Sequence, residues 1–209
     1  MKLGRVVDHP DQRGDGLTIV CPHFAGLTVA EADLVGTLPI GDANGAVLAL
    51  AGSFGRDPAV YAAILAADPF RPTPVLLGAL VEAGVRAVIN LPSVATIGCD
   101  LATALGHAGV DYAAELATLA TARTMGLETM ALATTADQAR QAMAAGVTRI
   151  LVWPRDEDIA AALDTARRGG AEVFLFHHPA REVEDAPLLA LVDGIVDWAI
   201  AARPASLAG

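Results

Sequence analysis

The stretch GLETMALATTADQARQAMAAGVTRILVW, from Gly126 to Trp153, carries the repeating unit that decides the fold. Gly126 leads into a short apolar segment, Glu128–Ala133, and an Ala-rich segment then runs to Gly146. Directly after it comes a β-branched run, Thr148–Trp153. Glycine is the residue that a helix C-terminus favours, because it tolerates φ > 0. The stretch therefore predicts strand, helix, glycine, strand.

The same unit recurs on both sides. Gly84 leads into Arg86–Asn90 (RAVIN), and Gly170 into Glu172–His177 (EVFLFH). The last three of these glycines are spaced by 20 and 24 residues, which suits βα repeats with short connections. Strands that alternate with helices pair in parallel through right-handed crossovers. Between Gly146 and Gly170, residues 155–168 predict a helix. Asp156, Glu157 and Asp158 lie in its first turn and Arg167 and Arg168 in its last, as the helix dipole prefers. Ile159, Leu163 and Ala166 form its apolar stripe.

Earlier strands are expected at Leu17–Cys21 and Val60–Ala66, and a last one at Gly194–Asp197. That makes seven, with Arg5–Val7 as a short candidate for an eighth. The expected architecture is thus α/β, a TIM-barrel-like (β/α) barrel of parallel strands forming a single domain over residues 1–209. Its closure is left open. Residues 1–16 read as an N-terminal extension or a short strand, so the first βα unit is one the barrel could lack. A length of 209 residues is short for a complete eight-fold barrel, for which about 250 is usual. An open barrel would expose unpaired strand groups, so a homo-oligomer that covers the gap is expected.

Composition agrees with strands buried on both faces. Apolar residues make up 54% of the chain and charged ones 18%, below the usual quarter. A net charge of −10 without any Lys/Arg cluster argues against nucleic acid as partner. Cys21 and Cys99 form no CxxC pattern, so neither zinc nor a disulfide framework is indicated. The opening residues are too polar for a signal peptide and no apolar run is long enough to span a bilayer, so a soluble cytoplasmic protein with no membrane partner is expected. Nucleophile elbow, P-loop and dinucleotide fingerprints are missing from the sequence.

Three motifs stand in order between residues 34 and 94: LVGTLPIGDANGAVL (34–48), Asp68-Pro69-Phe70-Arg71, and AGVRAVINLPSV (83–94). Together with GVDYAAELATLATARTMGLETMALATTADQARQAMAAGV (109–147), they resemble the phosphoenolpyruvate hydrolase-like TIM-barrel family. That family is related to the phosphoenolpyruvate mutase and isocitrate lyase barrels. The resemblance is good over residues 17–153 and loose over 154–200. It implies a lyase or hydrolase that acts on a small oxo-acid or phospho-oxo-acid, with Mg²⁺ as a candidate cofactor. The chain departs from the family pattern in its short start, which lacks a Gly-rich loop, and in CPHFAGL (21–27), where the family carries an Asn and two Arg. These losses favour an alternative, a non-catalytic small-molecule-binding or regulatory barrel whose active site has decayed.

In a parallel barrel the working residues lie at the C-terminal ends of strands. Asp42 and Asn44 sit in a Gly-Asp-Ala-Asn turn and suit a substrate contact, with Asp42 also a Mg²⁺ ligand. A helix N-cap explains them equally. Asp68 is a candidate metal ligand or base, and Arg71 a fork for a carboxylate or phosphate. A local ion pair would account for both. Asn90 ends its strand and could hold a substrate oxygen or the neighbouring backbone. Glu115 is a candidate acid/base, although a glutamate in the first turn of a helix also serves the dipole. His177 and His178 are adjacent on a strand and so face opposite ways. One is the expected proton carrier, and the two cannot form a pair on one metal. In the expected assignment Asp42, Asp68, Glu115 and His177 are catalytic, and Asn44, Arg71, Asn90 and His178 bind substrate. His23 and Asp197 also fall at strand ends, and Trp153 and Trp198 read as packing residues.

Overall fold

The computed structural model describes residues 1–35, 38, 41–154, 159–179 and 186–202. Eight strands run in chain order around a closed, all-parallel barrel. They are β1 Lys2–Val7, β2 Leu17–Val20, β3 Val60–Ile64, β4 Ala87–Asn90, β5 Glu128–Ala133, β6 Arg149–Val152, β7 Glu172–His177 and β8 Gly194–Trp198. The described helices are α1 Val29–Val35, α2 Ala43–Leu50, α3 Thr73–Glu82, α4 Cys99–His107, α5 Tyr112–Thr124, α6 Ala136–Ala144, α7 Ile159–Arg168 and α8 Ala186–Leu189.

The first unit, left open by the sequence, is supplied in its strand by β1. It covers six residues and pairs with β2 over Gly4–Val7 and with β8 over Lys2–Val6, which shuts the barrel. What that unit lacks is a helix, since a short 3₁₀ turn, Pro10–Gln12, takes its place. Closure removes the free strand edge on which the expected oligomer was argued. Among the described residues, no helix is long and apolar enough to cross a membrane. The four glycines expected at helix ends, Gly84, Gly126, Gly146 and Gly170, have φ of 92, 83, 84 and 82°. The helix expected over 155–168 is described from Ile159, so its acidic first turn lies outside the described residues.

One hydrogen bond shows which strand faces point inward. Arg149 Nη1 on β6 donates to the hydroxyl of Tyr61 on β3 at 2.6 Å. Strands three apart in a closed barrel can meet this way only across the interior. Register then carries the assignment round the barrel, because laterally paired residues share a face. Ile19 pairs with Tyr61, Ala63 with Ile89, Ile89 with Met130, Leu151 with Phe174, and Phe176 with Val196. All of these side chains are buried, and they fill the barrel in layers. Gly194 is required beside Phe174, since a Cβ there would come within 2.8 Å of the Phe174 ring.

The N-terminal end of the barrel is closed by charge. Lys2, Glu128, Arg149 and Glu172 each begin a strand on the inward face. Arg149 Nε reaches Glu172 at 2.7 Å and its Nη1 lies 3.5 Å from Glu128, while Lys2 also pairs with Glu172.

Candidate functional site

At the C-terminal end of the barrel the β2, β3 and β4 connections build one corner. Asp42 is the N-cap of α2 and accepts from Gly45 N–H at 2.7 Å. Arg71 lies in the connection after β3 and places both terminal nitrogens on Asp42, each at 3.0 Å. The Arg71 guanidinium, helped by the Gly45 amide, holds the Asp42 carboxyl below its ordinary range. The same pair makes Arg71 still harder to deprotonate.

Asn44 and Asp68 form the inner side of this corner. Asn44 is fully buried. Its amide bonds both backbone atoms of Leu65, at 3.0 Å each, and donates to Asp68 Oδ2 at 2.9 Å. Asp68 also accepts from Phe70 N–H at 2.8 Å and lies 4.0 Å from Arg71 Nη1. The N-cap reading of the turn holds, since Asp42 caps α2, and the same carboxylate also pairs with Arg71. A cavity of about 760 Å³ opens here, lined by Asp42, Leu65, Asp68, Phe70, Arg71 and Leu105 among others. Phe70 is 81% exposed at its rim.

The other expected residues lie elsewhere. Asn90 and Glu115 are fully buried on the helix-facing side of β4. Glu115 accepts from Asn90 Nδ2 at 2.7 Å, from Ser93 Oγ at 2.6 Å and from Val94 N–H at 2.8 Å. Asn90 Oδ1 in turn accepts from Leu132 N–H on β5 at 2.8 Å. Burial pushes the Glu115 carboxyl up to about 7, against the pull of these donors. The group stitches β4, α5 and β5 together, and its oxygens already have donors.

His177 and His178 do face opposite ways. His177 shares the outward face with Asp197, its partner in register, and their side chains meet at 2.9 Å with both about half exposed. His178 follows the parity of Phe176, whose ring it meets edge-on at 6.3 Å. Of the two, His178 is the one turned toward the barrel mouth. His23, in the 3₁₀ turn Pro22–Phe24, lies beside Gly41 and adds its charge to the field at Asp42.

The structure thus brings Asp42, Asn44, Asp68 and Arg71 together at one cavity. It sets Asn90 with Glu115 in the wall, and His177 with Asp197 on the outside. Sequence reasoning missed Phe70 and Leu105 as cavity residues. An apolar residue wedged between Pro69 and Arg71 in a polar loop was the available signal for Phe70. Ser93 was also missed, and its only signal was a hydroxyl three residues after a strand end.

Comparison with known proteins agrees with this architecture. The family model described as phosphoenolpyruvate hydrolase-like matches residues 25–155. The "Uncharacterized protein y4oT" of Sinorhizobium fredii is 34% identical over 154 residues, 73% of this chain and 79% of that protein. The tomato (Solanum lycopersicum) "ToMV susceptible protein tm-1(GCR26)" is 35% identical over 121 residues, which are 56% of this chain and only 16% of that longer protein. Among solved structures, a phosphonopyruvate hydrolase in complex with oxalate and Mg²⁺ superposes with a TM-score of 0.58 at 14% identity, covering 94% of this chain and 75% of that one. At that identity the likeness speaks for the barrel alone. With the family's motifs lying in the corner that the fold assembles, the chain belongs to the phosphoenolpyruvate hydrolase-like family.

Proposed function

We propose that this chain is a lyase- or hydrolase-type barrel that acts on a small oxo-acid or phospho-oxo-acid at the Asp42–Asp68–Arg71 corner. The observation that carries this reading is the Arg71 fork, held bidentate on Asp42 at the rim of the cavity. A planar guanidinium binds any carboxylate in the same way. An incoming substrate carboxylate would exchange with Asp42 for the fork. Asp42 would then lose the charge that keeps its proton affinity low, and it would become a proton acceptor beside the bound substrate. Asp68 keeps its bonds to Asn44 and Phe70 N–H and steers the guanidinium. Leu65, Phe70 and Leu105 would shield the bond next to the substrate carbonyl from bulk water.

Mg²⁺, expected at Asp42 and Asp68, is not carried into this proposal. Both carboxylates already have donors, and the cationic Arg71 stands between them. Among the described residues, no group of three or more His, Cys, Asp or Glu side chains gathers to hold a metal ion. As arranged, the corner is an arginine site and does not suit a hard divalent cation.

A second reading, binding without turnover, is supported by the saturation of Glu115, a fully buried acid whose oxygens already accept from three donors. One experiment separates the two. The protein is incubated with phosphonopyruvate and with phosphoenolpyruvate while phosphate release is followed, and the same preparation is titrated with oxalate. Release that disappears in Arg71→Ala supports the enzyme. Oxalate binding without release from either compound supports the binding barrel. Neither release nor binding would sink both.

A further inference from the structure

Most of the described buried polar groups of the barrel wall are bonded within the protein, the Thr18 hydroxyl on the outward face of β2 being an exception. Asn44 is satisfied by Leu65 and Asp68, and Asn90, Ser93 and Glu115 by one another. Thr118 and Thr134 donate to the carbonyls of Ala66 and Ala95. Native folds leave few such groups unpaired, and each unpaired one asks for a reason.

Three further unpaired ones lie at the C-terminal end of the barrel, on the side that runs from β6 through β8 to β1. They are the indole nitrogens of Trp153 and Trp198 and Oδ1 of Asp8, all buried and without a hydrogen-bond partner. Trp153 follows β6, Trp198 ends β8 and Asp8 follows β1. Trp198 pairs in register with Val6, two residues before Asp8, so the three share the inward side of neighbouring strands. Aromatic rings hold the indoles in place. Trp153 lies flat on Phe176 at 3.6 Å with an interplanar angle of 4°. The edge of Phe176 meets Trp198 at 6.3 Å, and Phe24 covers Trp198 at 5.7 Å. Rings fixed in this way cannot turn their N–H groups to other partners.

Two donors and one acceptor without partners define a ligand of the opposite pattern. We infer that the barrel mouth between β6 and β1 binds a small hydroxy acid. Its carboxylate accepts from Trp153 and Trp198, and its hydroxyl donates to Asp8. None of the three residues lines the cavity at Arg71, so this goes beyond the function proposed above and does not depend on it.

The chain has two tryptophans, and both belong to this group, so a ¹⁵N-labelled sample shows two indole N–H signals and each reports on it. In a titration with glycolate, both signals should move saturably. Acetate, which lacks the hydroxyl, should bind about tenfold more weakly. Trp153→Phe and Trp198→Phe keep a ring but lose the donor, and each should cost about tenfold in glycolate affinity. Asp8→Asn should abolish the preference for glycolate over acetate. Arg71→Ala should leave the shifts intact, and their loss in that variant would place the ligand at the other corner and overturn the inference. Indole signals that stay still with glycolate, or that answer acetate equally well, overturn it too. These would leave the two N–H groups merely hydrated. The wild-type titration alone decides if a variant fails to fold.

Discussion

Tyr61 and Arg149, 88 residues apart in sequence, meet at 2.6 Å across the floor of the barrel. Arg149 also serves Glu172 and Glu128, so one guanidinium answers three oxygen-bearing groups drawn from three different strands. Burial raises the Tyr61 hydroxyl above its ordinary range, which keeps it neutral and able to accept. Replacement of Arg149 by Leu would leave Glu128 and the Tyr61 hydroxyl without this partner and Glu172 with Lys2 alone. Removing the shared partner is costly because the groups it joined lose their counter-charge. Because these side chains are partly exposed, the expected loss is about 1–3 kcal/mol, read by urea unfolding. Tyr61→Phe should cost only about 1 kcal/mol, because it removes a single neutral bond.

Glu115 gives the protein a stability that depends on pH. Its carboxyl is raised by burial to about 7 from an ordinary value near 4.5. Below the unfolded value the group is protonated in both states, and its contribution is fully present. Between about 4.5 and 7 the unfolded chain releases the proton first, so stability falls as pH rises through that window. A shift of this size corresponds to roughly 3 kcal/mol across it. Unfolding free energies measured at pH 5 and pH 8 should therefore differ more in the wild type than in Glu115→Gln. Equal differences in the two proteins would mean that the carboxylate is ionised throughout, held by its three donors.

The parts of the fold that could be read from sequence are those with local causes. The strands β5 and β7 were legible to the residue because glycine punctuation and short apolar runs are neighbours in the chain. β1 was not, and was seen only as Arg5–Val7. Its outward face is largely uncovered, with Leu3 64% exposed, so it lacks the continuous apolar run by which a strand buried on both sides declares itself. Asp42, Asn44, Asp68 and Arg71 could be named because they stand in the ordered family motifs that follow β2 and β3, although their contacts to one another span 24 and 29 residues. That Glu115 would bind Asn90 and Ser93 could not, because its donors lie 22 and 25 residues away and are brought to it by tertiary packing. The same holds for the unpaired indoles, which read as packing until the register placed them.

His177 shows how strand parity sets where a side chain stands. It ends β7 on the outward face and pairs with Asp197, about half exposed, whereas the mouth lies on the other side of the strand. His177→Gln should leave oxalate affinity and any phosphate release unchanged. Its cost in stability should stay within about 1 kcal/mol, as for exposed pairs in general. A loss of turnover in that variant would return His177 to the catalytic group and would require the substrate to reach the outer face of the barrel.

Arg71 is where the proposed function is most exposed to test. In the wild type its guanidinium occupies the position between Asp42 and Asp68 that a cation would take. Mg²⁺ alone should therefore produce no rise in melting temperature through this pair. Arg71→Ala removes the fork and leaves both carboxylates facing the cavity without the guanidinium between them. Oxalate affinity should fall by about ten- to a hundredfold, the loss of a bidentate charged contact. Stability itself should change little, because Asp42 is 61% exposed and still caps α2 through Gly45. The Asp42 carboxyl should move back up toward its ordinary range, visible in a carboxylate titration by NMR. The same variant should now gain a Mg²⁺-dependent rise in melting temperature, because ligand linkage acts once a site is open. If Mg²⁺ stabilises the wild type and not the variant, Arg71 swings away to admit the metal, and the corner is a metal site after all.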